Sequence, residues 1–161
     1  MIVKEQYMAS GLDIAKPFIS ATINVLSTMA MITPTPGKPF VKSDNKAIGD
    51  VSAIIGITGV SSGSISVSFT KRCAVSLVKA MLGDDVGDIV QDAKDTVGEI
   101  CNMVSGQARA KLAEEGMVFQ GSTPTVILGD KHMVMHTSKS PVICIPFATE
   151  HGDFFVEFSF E

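Results

Sequence analysis

A chain of 161 residues with 45% hydrophobic side chains is sized for one domain, or for two small repeats sharing a core, and has ample apolar content to fold. A net charge of −4, with no Lys/Arg run longer than Lys71-Arg72, argues against a nucleic-acid role. The opening MIVKEQYMASGLDI lacks a signal-peptide apolar region, and no stretch approaches the roughly 18 apolar residues of a membrane helix. A soluble, cytoplasmic protein without membrane insertion is expected.

The first element predicted is a helix from about residue 13 to 31, with Asp13 as cap and Pro17 in the first turn. Its inner stripe is Leu12, Ala15, Ile19, Thr22, Leu26 and Ala30, and the Pro-rich TPTPGKP ends it. A short strand is expected near residues 40–42, then a polar loop. The alternating runs SAIIGITG and GSISVSFT follow, joined by a hairpin turn at 60–62. GITGVSSG has the glycines of a phosphate loop but no Lys-Ser/Thr ending, and it joins strand to strand, so it reads as punctuation. A helix over about 71–82 closes the first half.

GDDVGD leads into a second long helix, where Val90, Ala93, Val97, Ile100, Val104, Ala108 and Leu112 form one stripe, with Cys101 at its edge. Asp95, Glu99, Asn102 and Gly106 lie roughly opposite, with Gly98 and Ser105 on the flanks. A carboxylate and a carboxamide thus stand one turn apart beside glycines that let another backbone approach. Spacing alone does not separate a site from an ordinary solvated face. Beyond Gly116, STPTVIL, HMVMHT, PVICIPFAT and DFFVEFSF read as four strands, the last two a hairpin turning at HGD.

The three cysteines, Cys73, Cys101 and Cys144, are odd in number and far apart, so they read as core thiols. His132 and His136 share a face if HMVMH is a strand, but with no third ligand in view no metal site is assigned. His151 reads as a turn residue.

Laid over one another, the two long helices show a repeat. ATINVLS (21–27) matches EICNMVS (99–105), aligning Asn24 with Asn102 and Ser27 with Ser105, while Ala21 stands where Glu99 would be. Each helix is followed by β-patterned segments ending in a hairpin. The expected fold is α+β: a duplicated helix-plus-sheet unit, about 10–83 and 88–161 within one domain, with both long helices on one face of a shared antiparallel sheet.

At these residues the chain resembles the CheC/CheX/FliY family of chemotaxis phosphatases, its CheX-type members most. The family motif E-x-x-N falls here on Glu99-Ile-Cys-Asn102, within G-E-I-C-N-M-V-S-G-Q-A, and the paired ATINVLS helix extends the likeness over essentially the whole chain. CheC-like members often carry the motif in both halves. Here the first copy keeps Asn24 without its Glu, which implies one working site and makes Asn24 a surface remnant.

The resemblance implies a substrate: a phosphorylated response regulator of the CheY type, whose aspartyl phosphate is hydrolysed. On that reading Asn102 places the attacking water, as a carboxamide both donates and accepts. Glu99 is a poor general base beside a dianionic phosphoryl group, and the resemblance gives it an ion pair with a partner lysine. Asp95, Gly98, Ser105 and Gly106 would border the partner. No cofactor or metal of its own is expected, Mg²⁺ belonging to the partner's active site. A homodimer is expected from the family and from the long apolar C-terminal strands. The alternative is a non-catalytic adaptor that docks a signalling partner through the same helix face.

Overall fold

The computed structural model describes residues 2–44, 48–129, 132–136 and 138–161, with side chains in the first helix from Ile14 onward. Helix α1 spans Ile2–Ala30. Strands β1 (Thr35–Pro36) and β2 (Phe40–Val41) are followed by the hairpin of β3 (Val51–Gly59) and β4 (Gly63–Phe69). Helix α2 (Lys71–Leu82), a single 3₁₀ turn (Gly83–Asp85) and helix α3 (Ile89–Glu114) come next. Strands β5 (Phe119–Gly121), β6 (Thr125–Leu128), β7 (Ile143–Thr149) and β8 (Gly152–Phe160) complete the chain.

Local chemistry sets the helix ends. The Thr70 hydroxyl accepts from the Cys73 amide at 3.3 Å to cap α2. Its other end closes at Gly83, whose φ of 57° suits a residue without Cβ. The Asp88 carboxylate accepts from the Val90 and Gln91 amides at 3.0 and 3.3 Å and starts α3.

Helix α1 departs from expectation by beginning at Ile2, which puts Pro17 in its interior rather than its first turn. The ring deletes one helical hydrogen bond, and tertiary packing holds the helix through it. Phe18, the next residue, is fully buried and stacks on Phe158 at 4.9 Å between ring centroids. Of the expected stripe, Ala15, Thr22, Leu26 and Ala30 are buried, Ile19 is partly covered, and Leu12 lies outside the described side chains. Phe18, Ala21 and Val25 are buried as well.

Eight antiparallel strands form one sheet in the order β1-β7-β8-β4-β3-β5, with β2 also on β7 and β6 also on β3. The two hairpins meet at its centre, where β4 pairs with β8 from Gly63↔Phe160 to Phe69↔Phe154. Alternation sends Val51, Ala53, Ile55 and Ile57 of β3, Ile65, Val67 and Phe69 of β4, and Phe154, Val156 and Phe158 of β8 into the core beneath the helices. The α+β architecture, with long helices packed against an antiparallel sheet, is as expected from sequence.

The opposite face is also buried at its centre, and there one expectation fails. The expected strand HMVMHT does not form over its described residues 132–136, which make an irregular strap with a single bridge at Met133, and Thr137 lies outside the described residues. His132 and His136 do point the same way, onto the sheet. His132 Nε2 lies 2.6 Å from Ser52 Oγ, and His136 Nδ1 lies 2.7 Å from Ser64 Oγ. Beside them Lys42 Nζ sits 3.1 Å from both Glu157 oxygens, with 5% and 0% of the two side chains exposed. His136 Nε2 is 3.3 Å from Glu157 Oε1. The strap satisfies a row of serines and a buried carboxylate that strand ladders leave unpaired. β1 and β5, also missed in the sequence, are two and three residues long, too short for a period-2 pattern.

Candidate functional site on helix α3

Helix α3 lies on β3, β5 and β6 with α1 along its other flank. Ala93, Val97, Ile100, Cys101, Val104, Ala108 and Leu112 are buried as their spacing predicts. Val90 is the exception at 50% exposed, because the first turn overhangs an apolar cleft of about 220 Å³ between α2 and β6.

Glu99 and Asn102 both stand in solvent, one turn apart. Among the described residues neither side chain makes a hydrogen bond or an ion pair. The helix beneath them is capped at its start and sealed along its inner face, so both groups rise from a rigid support. Asp95 is exposed one turn earlier and accepts from Gln91 Nε2 at 3.0 Å. Gly106, one turn beyond Asn102, is half-buried, and a Cβ there would meet nothing nearer than Arg109 Nη2 at 4.0 Å.

Gly98 and Ser105, expected to border a partner, face inward instead. A Cβ on Gly98 would approach Val126 Cγ2 to 3.2 Å, so this glycine sets how closely α3 sits on β6. Ser105 is 0% exposed, and its hydroxyl accepts from Arg109 Nε at 3.1 Å. The covered arc is wider than the apolar stripe because strands β5 and β6 rise along the Gly98–Ser105 flank. Asn24 is exposed but engaged: its Nδ2 donates to Gln107 Oε1 at 2.8 Å, tying α1 to α3. Lys111 Nζ repeats the tie one turn on, donating to Ser20 Oγ at 2.9 Å.

Nucleophilic thiol chemistry is not available. Burial pushes the Cys73 thiol up to about 11 and the Cys101 and Cys144 thiols up to about 12, so all three are protonated at neutral pH. Among the described residues no three His, Cys, Asp or Glu side chains converge to hold a metal ion, and no helix is long and apolar enough to cross a membrane. Beside Asp95, which is engaged by Gln91, the face offers one unpaired carboxylate for an ion pair and one amide that binds or orients a small polar molecule.

Residues 51–148 match the family model described as chemotaxis phosphatase CheX. The CheY-P phosphatase CheX of Thermotoga maritima is 30% identical over 117 residues, covering 72% of this chain and 76% of that protein. The crystal structure of a chemotaxis protein CheX from Desulfovibrio desulfuricans is 66% identical, covers 92% of this chain and 99% of its own, and superposes with a TM-score of 0.88. A CheX–CheY–BeF3–Mg²⁺ complex from Borrelia burgdorferi shares the fold at 24% identity and a TM-score of 0.78, over 91% of this chain and 97% of that one. The chain belongs to the CheX family of chemotaxis phosphatases, in which the exposed Glu99–Asn102 pair falls within the matched region.

Proposed function

We propose that this protein hydrolyses the aspartyl phosphate of a CheY-type response regulator, with Asn102 placing the attacking water and Glu99 docking to a lysine of the regulator. One observation carries the reading: a Glu and an Asn, solvent-facing and unpaired among the described residues, stand one turn apart on a rigid helix of a CheX-family domain. The acyl phosphate is already a labile bond, so the reaction needs position more than activation. The water oxygen bonds to phosphorus opposite the leaving group, the P–O bond to the acyl oxygen breaks, and the aspartate carboxylate departs with the electron pair. The water's proton ends on the phosphate. The Asn102 amide accepts from that water and donates to it, the task a Gln performs in GTPases.

Glu99 serves better as an anchor than as a base, since a free carboxylate repels a dianionic phosphoryl group. Mg²⁺, when bound, sits in the regulator and neutralises phosphoryl charge there. The Thermotoga relative is a CheY-P phosphatase and the Borrelia relative forms a complex with CheY, both of which favour the same class of substrate. Asp95 and Gly106 border the contact, whereas Asn24, bonded to Gln107, takes no part. The protein works in the cytoplasm, as a homodimer, which sedimentation of the purified chain tests.

The experiment follows phosphate release from a panel of the host's phosphorylated regulators with and without the protein. Accelerated decay for one regulator supports a phosphatase. A complex that accumulates with no change in decay rate supports an adaptor instead.

A further inference from the structure

Arg109 is a charged group on α3 that the Glu99–Asn102 motif does not account for. Its side chain folds back toward the helix N-terminus, the usual direction for long helical side chains. Nε donates to Ser105 Oγ at 3.1 Å, and the guanidinium lies on Gly121 of β5, where a Cβ would come within 3.0 Å of Cζ and Nη2. Nη2 is 4.0 Å from where a Cβ of Gly106 would stand. The charged group therefore sits level with residues 105–106, and Asn102 and Gly106 are four apart on one face. That puts the guanidinium about one turn, or roughly 5 Å, beyond Asn102.

Arg109 is held, and yet it is electrostatically unspent. Its anchors are a neutral hydroxyl and a glycine backbone, and among the described residues no carboxylate pairs with it. Arg109 is partly exposed, and of its five N–H donors only Nε–H is hydrogen-bonded among the described residues, so the others remain available to a partner. Glu99 lies a turn to one side of Asn102 and the guanidinium a turn to the other, so the amide is flanked by opposite charges. A partner docking along this line meets a direction as well as a position.

We propose that Arg109 is the second docking charge of the site, donating to a carboxylate on the rim of the regulator's phosphorylation pocket; this rests on the proposed receiver-domain partner. A pocket that holds an aspartyl phosphate and binds Mg²⁺ does so largely through carboxylates, so its rim is acidic. The turn of offset keeps the guanidinium at that rim, while Asn102 is the group that reaches the attacking water. Glu99 and Arg109 together admit one of the two ways a receiver could lie along α3.

The test titrates the regulator, activated with beryllofluoride and Mg²⁺, against wild type, Arg109→Ala, Arg109→Lys and Gly121→Ala. The decay rate of the phosphorylated regulator is measured in parallel as a function of its concentration. Arg109→Ala weakens binding about 5- to 20-fold and flattens its salt dependence, while the saturated decay rate stays within about twofold of wild type. Arg109→Lys recovers part of the affinity, having the charge without the fork. Gly121→Ala, whose new Cβ displaces the guanidinium, falls between. Unchanged affinity and salt dependence in Arg109→Ala overturns the proposal, and so does a fall in the saturated rate at constant affinity, which would put the guanidinium on the phosphoryl group. Binding by wild type without accelerated decay sinks the hydrolysis reading while leaving the Arg109 comparison readable; no binding at all sinks both.

Discussion

Asn102 and Gly106 are the residues where chemistry and packing separate most cleanly. Because the exposed Asn102 side chain makes no hydrogen bond or ion pair among the described residues, Asn102→Ala should not lower the thermal midpoint. Removing its amide should raise the barrier by about 2 to 4 kcal/mol, on the order of 30- to 1000-fold in rate. Normal turnover by a folded Asn102→Ala would end the water-placing assignment. Asn24→Ala should keep full activity and lose only the Gln107 contact. Gly106→Ala is the converse case: the added methyl has 4.0 Å of clearance and improves helix propensity by about 1 kcal/mol. A rise in stability with a fall in dephosphorylation would show that the glycine serves a partner's approach. Unchanged activity would show that it does not.

Elements show where local patterns suffice and where they mislead. The α3 stripe was legible because seven apolar positions recur at helical spacing, and only Val90 escapes burial, at the end where the helix overhangs a cleft. Its flank was not legible. Nothing in the residues around Gly98 and Ser105 shows that β5 and β6 rise beside them, since these strands begin five and eleven positions past the end of the helix and are joined to β3 by long-range pairing. Residues 132–136 alternate like a strand but form only the single bridge at Met133, and their histidines bond serines on the face of the sheet. The start of α3 depends on the Asp88 cap. Asp88→Ala should therefore lower stability by about 1 kcal/mol, read as a shift in denaturant midpoint, without altering the saturated dephosphorylation rate.

At the scale of the whole molecule, two buried sets of titratable groups face away from the exposed Glu99–Asn102 pair, one of them including Cys101 on the inner side of α3. Glu157 holds Lys42 and the strap's own His136, and Glu157→Ala would strand a buried ammonium. A loss of about 3 to 5 kcal/mol is expected, measured by chemical denaturation. The thiols impose a pH dependence whose sign follows from burial. Cys101 is raised from the ordinary 9.0 to about 12, so the folded state keeps its proton while the unfolded chain releases it. Its stabilising contribution is complete below pH 9 and declines between pH 9 and 12, by at most about 1.4 kcal/mol per pH unit. The stability advantage of wild type over Cys101→Ala should accordingly shrink between pH 8 and 10.5; a constant gap would contradict the buried, protonated thiol.

The sequence by itself determined the helices apart from the start of α1, the two central hairpins and the one-turn spacing of Glu99 and Asn102, because each is written in residues only a few positions apart. Its kinship was legible for the same reason, in one turn of α3 and the paired helix before it. Tertiary structure alone decided that Gly98 and Ser105 turn inward, that the histidine segment covers the second face, and that the Arg109 guanidinium lies against Gly121 of β5. Each of those depends on a neighbour brought in by strand pairing across the chain, and a pattern of local periodicity carries no record of which distant backbone will arrive beside it.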